Sequence, residues 1–263
     1  MNWRNRKVNG KQMYGVTREN LNPIGFVIFA RLDSNRLPGK ALLKINGIEM
    51  LGRVISRVRE ASVTGRIIVA TTDRDLDNPI VSFADAKGIE VYRGSCDDVL
   101  GRAVCCARDF KLGSIVRICG DSPFLDAALI TDICALGLKE DADIYTNIPG
   151  RTFPYGASIE LIPKKVLERL DALVRSASDR EHVTKYIYDN GSQFKVSQLR
   201  SLKSDYHGVR LVVDTSEDLA RAEWIASVLD GSADNSLDAA VAAAIAFEVD
   251  NSSDRKMTTQ GEL

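Results

Sequence analysis

Three cations and two acids, each just past an apolar run, are the residues of this chain best placed to do chemistry. The run 24–30 stops at Arg31-Leu-Asp-Ser-Asn-Arg36-Leu-Pro-Gly-Lys40, a loop that gathers Arg31, Arg36 and Lys40 around a Pro-Gly turn. Fixed cations together with backbone amides near Gly39 suit an anion of several charges, most simply a triphosphate. Asp121 follows a second apolar run that ends in Ile118-Cys119-Gly120, and Asp214 follows a third at 209–213. Two carboxylates facing a basic loop fit a divalent cation between them. Magnesium takes one or two carboxylates and completes its shell with substrate oxygens and water. The alternatives are a solvated basic loop, a turn-forming Asp121, and an Asp214 that only favours a helix start.

These residues can meet only if their strands end at one sheet edge, and open α/β sheets bind ligands in the crevice outside the carboxyl ends of their strands. Strand-like runs at 24–30, 66–70, 90–92, 114–119 and 143–146 alternate with helical patterns at 49–60, 78–87, 97–111 and 126–138. In the third of these helices Val99, Leu100, Ala103, Val104, Ala107 and Phe110 recur at helical spacing behind Asp97, the expected N-cap. The alternation predicts an α/β, doubly wound, mainly parallel mixed sheet. The second half is less regular. A strand at 157–162 leads to Pro163, which suits the first turn of a helix reaching 173. A helix at 179–190 and strands at 194–199 and 209–213 follow. Thr215 and Asp218 have the spacing of a capping box for a helix ending near 229, and the Ala-rich stretch 237–247 reads as a last helix. We expect one domain over 24–249, a flexible extension over 1–23 and a flexible tail over 250–263.

Composition narrows the possible functions. The chain of 263 residues carries a net charge of −1, so a broad nucleic-acid or acidic-membrane surface is not expected and any anion site must be local. No stretch approaches the ~20 apolar residues of a membrane span, and the polar first twenty residues lack the apolar middle of a secretory signal. The five cysteines (96, 105, 106, 119 and 134) form no Cys-x-x-Cys pair, and the two histidines are His182 and His207, an inventory unsuited to structural zinc. An odd set of unpaired cysteines fits a reducing cytoplasm, with Cys106 and Cys119 read as small core residues.

Six blocks in register carry a family resemblance. They are Ala30-Arg31-x-x-Ser34-x-Arg36-Leu-Pro-Gly39-Lys40-x-Leu42, Val69-Ala-Thr-Thr-Asp73, Arg93-Gly94-Ser95-x-Asp97-Asp98-Val-Leu100-x-Arg102, Arg117-Ile-x-Gly120-Asp121-x-Pro123, Arg180-Glu181-His182-Val-Thr184, and Val213-Asp214-Thr-x-Glu217-Asp218-Leu219. Over roughly residues 24–229 the chain resembles the spore-coat-polysaccharide F-type cytidylyltransferases, relatives of the 3-deoxy-manno-octulosonate and acylneuraminate cytidylyltransferases.

The resemblance implies a nucleotide-diphospho-sugar-transferase (Rossmann-like) fold and transfer of CMP from CTP to a hydroxyl of an acidic sugar or related acceptor. It further implies release of pyrophosphate, Mg2+ as cofactor and a homodimer. Arg31, Lys40 and Asp121 would be the catalytic residues. Ala30, Arg31, Ser34, Arg36 and Lys40 would hold the nucleotide, with Arg93, Gly94, Ser95 and Asp98 near base and ribose. Asp121 and Asp214 would hold the metal. Asn147, Glu160, Arg180 and His182 would face the acceptor. Other readings are a nucleotidyltransferase using UTP or GTP, and a nucleotide-binding module without turnover. The chain departs from the family at Pro154-Tyr-Gly156-Ala-Ser158-Ile-Glu160, where Ser158 stands for a common carboxylate, and at Cys96, which replaces a frequently acidic residue.

Overall fold

A computed structural model describes residues 6–8, 11–13 and 21–260. Seven strands form one mixed sheet in the order Val196–Gln198, Ile144–Thr146, Glu160–Pro163, Ser114–Cys119, Ile24–Phe29, Arg66–Thr72 and Glu90–Gly94. Ile24–Phe29 is central and parallel to both of its neighbours, Ser114–Cys119 and Arg66–Thr72. Only Glu160–Pro163 runs against its partners. The expected α/β mixed, mainly parallel sheet is therefore the observed one.

The central strands read as largely apolar runs because helices cover both faces. On one face Met50–Glu60 and Ala127–Lys139 bury Leu51, Val54, Ile55, Ile130 and Ile133 against Phe26, Ile28, Val116 and Ile118. On the other, Val99–Asp109 and Lys164–Leu173 bury Leu100, Ala103, Cys106, Val166 and Leu170 against Val27, Ile68 and Ile115. Alternate residues of a strand point to opposite faces, so Phe29, Arg117 and Cys119 share the Val27 face. No helix among the described residues is long and apolar enough to cross a membrane.

Several boundaries differ from the sequence reading. The N-cap of helix Val99–Asp109 is Asp98, which accepts the Gly101 N–H, rather than Asp97. The expected helix at 179–190 is two short ones, Ala177–Glu181 and Lys185–Asp189, broken where Val183 adopts φ 39°. Positive φ is costly for a β-branched residue, and no periodicity pattern signals it. The expected strand at 209–213 is no strand of the sheet but a segment joined by one bridge, Tyr155 to Arg210, its backbone bonding to Tyr155 and Asp121 instead. The last helix continues from Leu237 to Gln260 where a tail was expected from 250. The expected N-terminal extension falls mainly on residues outside those described.

Candidate active site

The basic loop is held at its base. Leu32 N–H donates to the buried carboxylate of Asp77 at 2.7 Å, and Gly39 N–H closes the loop onto the Leu32 carbonyl at 2.8 Å. Ser34 Oγ accepts the Leu37 N–H inside it. Gly39 has φ 73°, the left-handed turn that starts the short helix Lys40–Leu42 and swings Lys40 inward. Gly120 serves a different need. A Cβ there would sit 2.8 Å from the Phe29 carbonyl, so only glycine lets the Ser114–Cys119 strand end close to the central one. Asp121 follows directly.

Asp214 is positioned from two sides. Val213 N–H donates to the Asp121 carbonyl at 3.0 Å, tying the two acids together through the backbone. The helix Ser216–Leu229 begins in the expected capping box: Asp218 Oδ2 accepts the N–H groups of Thr215 and Asp214, and Thr215 Oγ1 accepts that of Asp218.

Lys40 Nζ lies between the acids. It donates to Asp121 Oδ2 at 2.9 Å, Asp214 Oδ1 at 2.8 Å and the Val213 carbonyl at 3.0 Å. Burial works against its charge, but the Asp121 charge and hydrogen bonds to Asp214 and Asp121 outweigh it and hold its pKa above the ordinary 10.5. Arg36 Nη2 reaches Asp214 Oδ2 at 3.0 Å from the open side. Arg31 pairs with Asp33 at 3.3 Å and Glu181 at 3.6 Å, with Nη1 3.7 Å from Cys96 Sγ.

These groups rim a cleft of about 440 Å³ at the carboxyl ends of the strands. Ala30, Arg31, Ser34, Arg36, Lys40, Asp121 and Asp214 all line it, and so does His182, beside the helix interruption at Val183.

Other expected site residues are engaged elsewhere. Arg93 donates to the carbonyls of Thr72 and Arg74 and to Asn78, so it braces the turn after the second strand. Ser95 accepts the Asp98 N–H, and Gly94 packs beside the Arg102 stem. Asp98 caps its helix and takes Arg180 through two bonds, 2.9 and 2.6 Å; Arg180 also reaches Asp171. Asn147 is buried, bridging the Ala157 carbonyl and the Ile159 N–H. Glu160, 1% exposed, lies beneath the cleft, accepting from Arg117 and from Tyr188 at 2.6 Å each. None of these seven lines the cleft.

The lining residues that sequence reasoning left without a role include Arg102, Arg117 and Glu181. The first two carried a visible signal. Each is a charge inside an otherwise apolar stretch, Arg102 on the inward face of its helix and Arg117 in a buried strand.

The acids fit a divalent cation in one way only. No group of three or more His, Cys, Asp or Glu able to hold a metal occurs among the described residues. Asp121 and Asp214 nevertheless aim oxygens at one point, where Lys40 Nζ sits, which suits an ion that takes two carboxylates and shares substrate oxygens.

Comparison with known proteins identifies the family and the fold. The sequence profile of a family described as Cytidylyltransferase matches residues 26–245. The spore coat polysaccharide biosynthesis protein SpsF of Bacillus subtilis is 31% identical over 208 residues, covering 75% of this chain and 84% of its own. The solved structure of a cytidylyltransferase from Leptospira borgpetersenii serovar Hardjo-bovis superposes with a TM-score of 0.78 at 29% identity, over 88% of this chain and 95% of that one. A CMP:2-keto-3-deoxy-manno-octonic acid synthetase solved with CTP shares the fold, with a TM-score of 0.56 at 19% identity over 78% of this chain and 98% of that one.

Proposed function

Because the chain belongs to the cytidylyltransferase family, we propose that it transfers CMP from CTP to a hydroxyl of an acidic sugar or related acceptor, for a surface polysaccharide or glycoconjugate. The observation that carries this reading is the convergence of Lys40, Asp121 and Asp214 beside Arg36 and Arg31 in one cleft. The named relatives support it: one takes part in spore coat polysaccharide synthesis, and the more distant synthetase was solved with CTP.

In the proposed reaction the acceptor hydroxyl oxygen bonds to the α-phosphorus and gives its proton to solvent, while the α–β phosphoanhydride bond breaks in line and pyrophosphate leaves. Such a displacement depends on positioning and charge neutralisation and needs no covalent nucleophile. Arg31, Arg36 and Lys40 bind the triphosphate and neutralise charge on the leaving pyrophosphate. Asp121 and Asp214 would hold Mg2+, which supplies Lewis acidity to the phosphate and lowers the pKa of a bound hydroxyl. His182 and Arg117, which line the same cleft, would face the acceptor. We take residues 24–249 as the catalytic unit, working as a homodimer in the cytoplasm. Five free cysteines and the exposed Trp224, Val228, Ile245 and Val249 are consistent with that setting.

The test is to incubate the protein with Mg2+, each nucleoside triphosphate in turn and a panel of acidic sugars, and to follow pyrophosphate. CTP-selective release is the expected result. Release selective for UTP or GTP would overturn the choice of nucleotide, and tight CTP binding without release from any acceptor would make the chain a binding module.

A further inference from the structure

The floor of the cleft holds a charge that the protein leaves unbalanced. Arg102 is 4% exposed, yet its Nε and Nη1 are buried without a hydrogen-bond partner. The Phe29 ring lies beside it, with the guanidinium carbon 5.7 Å from the centroid. Arg117, on the same face of the sheet as Phe29, spends Nη1 on Glu160 and leaves Nε buried and unpaired. Both side chains line the cleft. Burial first, then the positive charges of Arg31 and Arg74, depress the Arg102 pKa despite an opposing pull from Cys96 and Asp77. A buried guanidinium without acceptors is costly, because each unmet N–H forfeits its hydration. Nothing in the packing demands an arginine here, since Val99, Leu100, Ala103 and Ala107 already supply the apolar face of the helix.

We propose that Arg102, supported by the free Nε of Arg117, is a substrate-binding residue that receives an anionic oxygen group, phosphate or carboxylate, at the floor of the cleft. This rests on the proposed nucleotidyl transfer and adds a recognition site to it. A guanidinium presents its N–H groups in a planar fork that matches such oxygens in pairs. The unmet donors are then satisfied by ligand, so the cost carried by the free protein becomes selectivity for an acidic molecule. The two sources of the anion are the nucleotide phosphates and the carboxylate of an acidic acceptor.

The experiment compares wild type with Arg102→Met and Arg102→Lys by calorimetry, using CTP, cytidine and 3-deoxy-manno-octulosonate as probes, with melting temperature read alongside. We expect Arg102→Met to melt no lower than wild type, because it removes an unpaired buried charge. A phosphate source is indicated by a loss of about ten- to a hundred-fold in CTP affinity with cytidine unaffected. A carboxylate source is indicated by unchanged CTP affinity and a similar loss for the sugar acid. Arg102→Lys keeps the charge without the fork and should lose part of the same affinity; it decides the matter if the Met variant does not fold. Variants that bind CTP as wild type does and respond identically to the acid overturn the inference. Wild type that fails to bind CTP overturns the nucleotidyltransferase reading itself, a separate result.

Discussion

The rim and the floor of the cleft treat charge in opposite ways. At the rim, Lys40 and Arg36 meet Asp121 and Asp214 at 2.8–3.0 Å, two cations against two carboxylates. At the floor, Arg102 has no ion-pair partner among the described residues, and Arg117 has one for part of its guanidinium only. The rim can therefore assume its geometry before any ligand arrives, and what binds there must compete with internal pairs. The floor keeps an unmet demand that a ligand satisfies. Organisation and appetite are divided between the two halves.

Substituting across this divide should separate activity from stability. The largest effect is expected at the rim. Asp121→Asn should slow pyrophosphate release about a thousand-fold, since the site loses a carboxylate that would hold the Mg2+, while the chain still folds. A near-normal rate would detach Asp121 from the chemistry. Beneath the floor the pattern should invert. Glu160→Gln strips Arg117 of its buried counter-charge and should cost about 3 kcal/mol in urea unfolding. An unfolding midpoint equal to that of wild type would mean the cross-strand pair is dispensable.

A smaller effect should appear in alkali. The folded pKa of Lys40 is raised, so its contribution to stability is complete below the ordinary 10.5 and is lost as pH rises through the folded value. Lys40→Met should start less stable at neutral pH, and the gap to wild type should close above about pH 10.5. A gap that stays constant into alkali would show that the ion pairs do not stabilise the fold.

Much of this architecture was legible in the sequence. Apolar runs alternating with helical periodicity gave the sheet, and Thr215 with Asp218 gave the capping box, because each is a local pattern. The break at Val183 and the departure of 209–213 from the sheet were not legible. The first is a backbone conformation that the residue type disfavours, and the second is set by bonds to Tyr155 and Asp121, far away in sequence. The site divides in the same way. Arg31, Ser34, Arg36 and Lys40 are clustered in one loop, so their convergence could be read directly. Arg93, Asp98, Arg180 and Glu160 are the same residue types at similar strand and helix ends, but each is satisfied by partners such as the Asp98–Arg180 pair, 82 positions apart. Residue type alone does not distinguish a group that meets ligand from one that steadies the frame. Arg102 shows the better criterion: a charge where the pattern demands an apolar residue, with two buried nitrogens that no described residue satisfies.

The seat of Lys40 has a consequence for the order in which ligands load. An ammonium resting on both aspartates makes the bare protein a poor trap for free divalent ions, which must first evict a tethered competitor. In the proposed reaction, incoming polyphosphate would attract that same ammonium and free the carboxylates just when phosphate oxygens could share an ion. Ion and nucleotide are thus favoured as a joint arrival. Manganese titrated into the nucleotide-free protein should bind weakly by electron paramagnetic resonance and more tightly to Lys40→Met. Equal affinity in the two would show that the lysine guards nothing.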